Sequence, residues 1–372
     1  MGSEMCIRDR FVMDDGWFGA RNSDRAGLGD WFVNKEKFPD GLTPLIDGVK
    51  ALGMKFGLWF EPEMVNPDSD LFRQHPDWAY HYDTRKGSLL RNQLELNMTR
   101  KDVQEYVFNC LDTMLSEYDI SYIKWDMNRP MSETGAENLE NPQELWVRHV
   151  QAVYDIVDQL KAKHPQVQIE SCASGGGRAE LGSLGHYDMV WTSDNTDPVD
   201  RLYIQNGYSL LYPMKCMRAW VTDTNRKERP NDLDFRFNVS MQGSLSLGGN
   251  LHNYTPEEIE KSKAYVALYK TLRSTVQFGD FYRLATYDKD GYYATQYTDA
   301  AQSVLFVCSP ATSFFNDRYY TIRLNGLDPD ADYTFTLNEK EITKSGSYLM
   351  HAGISMELTK PFSSAILVFK KQ

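Results

Sequence analysis

The sequence is poor in cysteine, and its five cysteines are spread widely along the 372 residues. Their number is odd, and none of them belongs to a CxxC pair. A disulfide framework or a structural zinc site needs cysteines at closer and more regular spacings. The sequence therefore predicts a protein of a reducing compartment, without disulfides and without a structural zinc ion.

Metal-ligand spacing is also missing among the seven histidines, which include no HExxH pair. We therefore expect no metal ion. The chain has no run of about 18 apolar residues that would cross a membrane. Its first residues lack the apolar core of a signal peptide, so we expect a cytoplasmic location.

A basic excess is absent as well. The formal net charge is -12 at pH 7 and the isoelectric point is about 5.1. Nucleic acids and anionic membranes both attract proteins that carry a basic face. The composition therefore argues against both partners and leaves small neutral or cationic ligands open.

What the sequence does contain is a repeated order of strand, polar tip and helix. Short apolar runs that end near residues 14, 60, 126, 170, 191, 220 and 247 alternate with helical patterns. This order is typical of a parallel α/β sheet. A (β/α)8 TIM barrel has eight such strands, so the seven found here predict a barrel whose first βα unit is missing. We place the last two strands around Met214–Val221 and Phe237–Leu247.

The domain organisation follows from where the pattern changes. The first ten residues, MGSEMCIRDR, do not fit the barrel pattern and are interpreted as a non-native or junction segment. Residues 11–280 form the predicted (β/α) barrel, in which Thr99 caps the helix before the 126 strand and Asp102 completes a capping box. Residues 281–372 contain short strands split by turn residues, which predict a C-terminal antiparallel β-sandwich domain.

The stretch SYIKWDMNR at residues 121–129 carries the first candidate for chemistry. Its apolar half predicts a strand, and Asp126 follows where that strand ends. The loops after parallel strands converge on one face of a barrel, which is where barrel enzymes place their catalytic groups. An isolated Asp at a strand end is more often a helix cap. A catalytic role for Asp126 therefore depends on whether the other strand ends carry matching polar groups. Lys124 and Arg129 are expected to favour the charged form of Asp126.

Two further strand ends carry carboxylates. Asp14 and Asp15 precede Trp17 in DDGWFG, a combination that suits a sugar, since carboxylates bind hydroxyls and an indole packs on the ring's C–H face. In WTSDNTDP, Asp197 stands before a proline and is predicted to cap a helix. This leaves Asp194 as the carboxylate without a structural explanation.

The loop SCASGGGR at residues 171–178 matches no phosphate-loop pattern, and its glycines are interpreted as letting backbone pass close to a ligand. Cys172 has no neighbouring histidine to act as a base. A contact or packing role is therefore favoured over a nucleophilic one.

Five motifs, DDGWFG, FGLWFEPEM, YIKWDMNR, SCASGGGR and WTSDNTD, resemble in order and separation the bacterial melibiase/raffinase-type α-galactosidases of glycoside hydrolase family 36. The resemblance covers about residues 11–370. It implies a (β/α)8 barrel followed by a C-terminal β domain, with the family's N-terminal β-sandwich missing. It also implies retaining hydrolysis of terminal α-D-galactosyl residues from melibiose, raffinose or stachyose, without metal or other cofactor. Full-length members are often homo-oligomers.

Carried over by position, the resemblance makes Asp126 the nucleophile and Asp194 the general acid/base. It implies substrate contacts for a larger set of residues: Asp14, Asp15, Trp59, Arg91, Lys124, Asn128, Cys172 and Gly175. A retaining glycosidase needs two carboxyl groups about 5–5.5 Å apart, one ionised and one protonated, and the carboxylates above supply such a pair.

Two alternatives remain open at this point. One is a related enzyme of the same clan, an α-N-acetylgalactosaminidase or a galactosyl-transferring raffinose or stachyose synthase. The other is an inactive galactoside-binding fragment. A barrel that lacks a strand exposes unpaired strand edges, and such edges favour association of the chains.

Overall fold

The structure is a computed structural model that describes residues 3–6, 10–136, 138–224, 231–311, 319–358 and 360–372. Residues 1, 2 and 7–9 of the predicted junction segment lie outside the described residues. The chain divides into two compact units, Met1–Asp194 and Asn195–Gln372.

The first unit alternates strands and helices. Its strands are β1 (Ser3–Cys6), β2 (Arg10–Met13), β3 (Lys55–Phe60), β4 (Met64–Val65), β5 (Leu94–Glu95), β6 (Ile120–Trp125), β7 (Gln168–Ser171) and β8 (Met189–Trp191). Its helices are α1 (Thr43–Ala51), α2 (Asp70–Gln74), α3 (Lys101–Glu117), α4 (Leu145–Lys163) and α5 (Leu181–His186), with 3₁₀ turns at Pro76–Trp78 and Pro142–Glu144.

Five strands of this unit pair in parallel, in the order β2-β3-β6-β7-β8. Parallel pairing points all their carboxyl ends to one edge, so the polar residues that follow each strand meet there. β1 pairs antiparallel with β2, with Ser3 opposite Met13. The small ribbon of β4 and β5 is also antiparallel.

Helix α3 shows why these segments fold as they do. Val103, Val107, Leu111 and Met114 recur at helical spacing and are all buried, whereas the opposite face is polar. The predicted cap is wrong: the N-cap is Arg100, and its side chain pairs with Asp102. Thr99 donates its hydroxyl to Asn97 instead of capping the helix.

The second unit begins with further strand–helix alternation and ends in β structure. Its strands are β9 (Met217–Val221), β10 (Ser244–Leu247), β11 (Asp280–Ala285), β12 (Tyr293–Thr298), β13 (Gln302–Ser309), β14 (Tyr319–Ile322), β15 (Asp332–Leu337), β16 (Lys340–Ser345), β17 (Ile354–Glu357) and β18 (Ser363–Lys371). Its helices are α6 (Pro198–Tyr208), α7 (Leu233–Ser240), α8 (Pro256–Phe278), α9 (Tyr287–Asp290) and α10 (Gly346–His351), with 3₁₀ turns at Met214–Cys216 and Leu251–Asn253.

Strands β9 and β10 are parallel to each other, and the seven strands of the two parallel sets end at or within one residue of the predicted ends. The predicted strand Phe237–Leu247 is wrong in its first half. Residues up to Ser240 belong to α7, where both Phe237 and Val239 are buried. A helix buried on all sides has a continuous apolar sequence, which resembles that of a buried strand. Helix α8 carries the predicted capping box between Thr255 and Glu258.

The last strands form two antiparallel sheets, one in the order β11-β12-β13-β18-β15-β16 and one of β14 and β17. One apolar core contains residues of both, among them Leu305, Leu367 and Phe369 from the larger sheet and Ile322 and Ile354 from the smaller. This is the predicted antiparallel sandwich. The predicted boundaries at residues 10 and 280 stay predictions.

Candidate active site

Asp126 directly follows β6, and its backbone N–H donates to the Phe60 carbonyl at 2.7 Å. Its Oδ2 accepts hydrogen bonds from Trp59 Nε1 at 3.1 Å and from Asn128 Nδ2 at 2.7 Å. Its Oδ1 accepts from the Met127 backbone N–H at 2.8 Å. The side chain is 7% exposed. Neutral donors therefore orient an almost buried carboxylate, as a positioned nucleophile requires.

The cations expected beside Asp126 have other partners. Arg129 donates from Nη1 to the Gln93 carbonyl and from Nη2 to Ser132 Oγ, and its effect on the charge of Asp126 stays a prediction. Burial lowers the pKa of Arg129 from its ordinary value. Lys124 Nζ donates to Asp14 Oδ2 at 3.0 Å.

The residues after β2 form a second polar cluster of the unit. Asp15 accepts a two-pronged hydrogen bond from Arg21, whose Nη2 and Nε lie 2.8 and 2.9 Å from its oxygens. Asp14 is fixed by Lys124 and by the Asp15 backbone N–H. Each carboxyl group is thus held by a cation, and carboxylate oxygens can accept hydrogen bonds from hydroxyl groups.

Two tryptophans were expected to face a ligand, and the structure changes both interpretations. Trp17 is fully buried, packs edge-on against Phe60, and donates its indole N–H to the Trp59 carbonyl. It is a core residue and offers no face to a sugar. Trp59 is only 3% exposed, and its indole N–H binds Asp126, so it orients that carboxylate.

The loop after β7 connects the remaining candidates. Cys172 is 2% exposed. Burial, and then the charge of Asp126, raise the pKa of its thiol, which agrees with a packing role. Ser174 Oγ donates to Asn128 Oδ1 at 3.2 Å. This loop therefore contacts the residue that holds Asp126.

Gly175 brings the β7 loop against the segment that carries Asp194. Its φ is +89°, a conformation that residues with a Cβ rarely adopt. A Cβ placed there would lie 2.9 Å from Ser193 Cα and 3.0 Å from Asp194 N. The close approach predicted for the glycines exists, but the neighbour is the protein's own backbone.

We expect Gly175→Ala to displace the Asp194 segment, since both φ and space oppose a methyl group. The left-handed strain alone costs about 1 kcal/mol or more. Thermal unfolding followed by circular dichroism should show a lower melting temperature. Gly185→Ala is the matched control, because a Cβ at that helical glycine meets nothing within 4 Å. Equal melting temperatures for the two variants would contradict the packing argument.

Asp194 follows β8 and is exposed, and its Oδ1 accepts the indole N–H of Trp191 at 2.7 Å. Arg91 is also exposed and sits in a turn, with a φ of +51°. In the second unit, Asp197 caps α6 by accepting from the backbone N–H groups of Val199 and Asp200, as predicted.

Sequence reasoning missed a group of buried glutamates. Glu61 is 1% exposed, and burial followed by the charge of Asp126 raises its pKa to about 8. Glu63 is fully buried, yet Arg178 and His149 overcome that burial and lower its pKa to about 2. Both stand in the quoted motif FGLWFEPEM. Two glutamates directly after an apolar strand were the signal that could have identified them.

For a third glutamate, Glu95, the described residues offer no hydrogen bond to either oxygen, and His149 Nε2 lies 3.6 Å from its Oε1. Burial, and then the charge of Glu63, raise its pKa to about 8. Its proton is released near pH 4.5 in the unfolded chain but retained to about pH 8 in the folded one. The stability that Glu95 contributes is therefore complete below about pH 4.5 and is lost as the pH rises to about 8.

We expect Glu95→Leu to raise the melting temperature and to make it fall less between pH 5 and 9. Removing an unsatisfied buried carboxyl relieves about 1–3 kcal/mol of desolvation. Calorimetric melting curves across that pH range test this. A melting temperature that drops at every pH would show that Glu95 has a stabilising partner.

A cavity of about 720 Å³ lies beside these residues, among α4 and the loops that follow β6 and β7. Most of its surface is apolar, from side chains such as Trp146 and Val153, although Glu63, Glu95 and Arg178 also line it. None of the predicted substrate contacts do. A galactosyl ring carries hydroxyl groups around its edge. This apolar cavity does not match that pattern.

No group of three or more His, Cys, Asp or Glu side chains in the described part of the chain is placed to hold a metal ion. Within the same ranges, no helix is long and apolar enough to cross a membrane.

Comparison with known proteins agrees with the motifs. Residues 3–279 match the family described as Melibiase, and residues 292–369 match the glycosyl hydrolase family 36 C-terminal domain. Alpha-galactosidase AgaA of Geobacillus stearothermophilus is 40% identical over 350 residues, which cover 93% of this chain and 48% of that protein. Alpha-galactosidase C of Emericella nidulans is 38% identical over 377 residues, covering 97% of this chain and 49% of that protein.

The crystal structure of AgaA superposes with a TM-score of 0.92 at 38% identity, covering 97% of this chain and 51% of that chain. This similarity confirms the predicted fold class, a barrel of the (β/α)8 type followed by a C-terminal antiparallel β domain. The chain spans about half the length of the curated relatives it matches. The chain belongs to the melibiase family of glycoside hydrolases.

Proposed function

We propose that this chain carries the catalytic site of a retaining α-galactosidase. The observation that carries the proposal is the arrangement of Asp126, a nearly buried carboxylate fixed by Trp59 and Asn128 on the strand edge that also presents Asp14 and Lys124. Membership of a glycoside hydrolase family supports the reaction class, hydrolysis of a glycosidic bond. Asp126 attacks the anomeric carbon, and a galactosyl ester forms.

Asp194 acts as the general acid in the first step and as the general base in the second. It protonates the leaving oxygen, then takes a proton from the water that hydrolyses the ester, so the anomeric configuration is retained. Its exposure suits a group that meets both a departing sugar and water. The Trp191 indole N–H directs one of its oxygens, and the other is available for proton transfer.

The remaining predicted contacts bind the galactosyl ring. Asp14, Asp15 and Lys124 provide charged hydrogen-bonding groups for ring hydroxyls, and Asn128 and Cys172 lie around the nucleophile. The Gly175 turn holds the Asp194 segment in place, and the exposed Arg91 reaches the substrate from its turn. The AgaA structures include complexes with raffinose and with stachyose, so we propose α-galactosyl oligosaccharides as substrates.

Among the described side chains, Cys110, Cys172 and Cys308 are free thiols. Free, largely buried thiols are typical of proteins from reducing compartments. On this ground we propose that the protein acts in the cytoplasm.

Release of nitrophenol from p-nitrophenyl α-D-galactoside tests the activity, with raffinose as the natural-type substrate. We expect the chain to turn over both. The p-nitrophenyl α-N-acetylgalactosaminide is the comparison substrate, and turnover of this compound alone would assign the chain to the related clan activity. Raffinose consumed with transfer to an added sugar would indicate a synthase. A folded chain that turns over none of them would contradict the proposal.

A further inference from the structure

Glu61 occupies a position between two parts of the site. It directly follows β3 and is 1% exposed. Its Oε1 accepts the backbone N–H of Asn128 at 2.5 Å, and the side chain of the same Asn128 donates to Asp126 Oδ2 at 2.7 Å. Glu61 is therefore linked to the proposed nucleophile through a single residue, Asn128.

The same Oε1 accepts a second hydrogen bond, from Gln93 Nε2 at 2.7 Å. Gln93 is 1% exposed and ends the turn that carries Arg91. Arg91 and Asn92 have φ values of +51° and +62°, a left-handed pair that costs energy unless its surroundings hold it. The bond from Gln93 to Glu61 anchors that turn.

We infer that Glu61 is a positioning residue that fixes the Asp126 nucleophile through Asn128 and the Arg91 turn through Gln93. The inference rests on the proposed function and deepens it, because Glu61 touches neither substrate nor the reacting atoms in this assignment. A single buried carboxyl oxygen thereby sets the distance between the attacking group and a substrate-binding loop. Errors of about 1 Å in such placements cost about 100-fold in rate.

The chemistry of the acceptor decides which replacement preserves the role. Burial, and then the charge of Asp126, raise the pKa of Glu61 and so favour its neutral, protonated form. Its Oε1 remains an acceptor for both donors in that form. Glutamine has the same shape, the same neutrality and the same acceptor oxygen, whereas the shorter, apolar leucine offers no acceptor.

The test compares Glu61→Gln, Glu61→Leu and Gln93→Leu with the parent chain on p-nitrophenyl α-D-galactoside. We expect Glu61→Leu to lower kcat by about 100-fold and to raise KM, since both loops lose their anchor. Gln93→Leu should raise KM with a much smaller change in kcat. Glu61→Gln should restore most of the activity. A merely structural role predicts no such division of kcat from KM.

A second measurement asks whether Glu61 acts through Asp126. In an Asp126→Ala background, azide attacks the anomeric carbon, nitrophenolate leaves, and β-D-galactosyl azide forms. Adding Glu61→Leu should leave the kcat of this azide reaction unchanged, because the carboxylate it positions is already gone. A further loss as large as that in the parent background would overturn the inference.

The outcomes distinguish a failure of the proposed function from a failure of the inference about Glu61. A folded parent without turnover contradicts the proposed function and the inference with it. An active parent whose Glu61→Leu variant keeps its kcat contradicts the inference alone. Circular dichroism checks each fold. Should Glu61→Leu not fold, Glu61→Asp replaces it: its shorter side chain cannot reach both donors, and full activity in that variant would overturn the inference.

Discussion

Replacing Asp126 with alanine is expected to lower kcat for p-nitrophenyl α-D-galactoside by about 10⁴-fold or more. The variant lacks the only group proposed to form the galactosyl ester, and losses of this size follow removal of a nucleophile that works as part of a unit. KM should change little, because the carboxylate of Asp126 mainly serves the chemical step. Initial rates of nitrophenol release measure both constants.

Asp112→Ala is the matched control for that variant. Asp112 lies on α3, where its carboxylate pairs with Lys163 and His164 away from the proposed site. Its removal should change stability slightly and kcat hardly at all. Azide should restore nitrophenol release to Asp126→Ala and yield the β-configured azide, because the alanine leaves room for a small external nucleophile. An Asp126→Ala variant as active as Asp112→Ala would contradict the nucleophile assignment.

The second large effect concerns Asp194. We expect Asp194→Ala to lower raffinose hydrolysis by about 10²–10⁴-fold, the usual contribution of a general acid. An aryl galactoside with a very acidic leaving group, such as 2,4-dinitrophenol, needs no protonation. Formation of the ester should therefore stay fast for that substrate, and added azide should speed turnover by replacing the base-assisted attack of water. Steady-state rates on both substrates, with and without azide, test this.

Asp197→Ala serves as the comparison in the neighbouring sequence. Asp197 caps α6, so its loss should cost about 1 kcal/mol of stability. It should not make the rate more dependent on the acidity of the leaving group. If Asp197→Ala, and not Asp194→Ala, shows that dependence, the general acid has been assigned to the wrong carboxylate.

Much of the fold could be predicted because parallel strands have a simple sequence pattern. Each barrel strand is a short apolar run with a polar end, and all seven predicted ends lie at or within one residue of the observed ends. The segment predicted as a strand that forms helix α7 shows the limit of this pattern. Helix α7 is buried on every side, so Phe237 and Val239 produce a continuous apolar pattern that does not distinguish a helix from a strand.

The candidate site was predictable where residues act at strand ends, and less so where contacts depend on packing. Asp126 and Asp194 could be identified from their positions in the motifs, after a predicted strand. Trp17 has the same kind of position, but only the three-dimensional structure shows that its ring enters the core. The role of Glu61 depends on two hydrogen bonds to residues 32 and 67 positions away in sequence. No local pattern records such contacts.

The measurement that tests the account most directly is covalent trapping of the proposed ester. A 5-fluoro-α-D-galactosyl fluoride has a good leaving group and a fluorine that slows both steps, so the galactosyl-enzyme accumulates. Mass spectrometry of the digested chain should find one fluorogalactosyl group on the peptide that contains Asp126, and none in the Asp126→Ala variant. A label on another carboxylate, or turnover of galactosides by a folded chain with an inverted product and no label, would contradict the account.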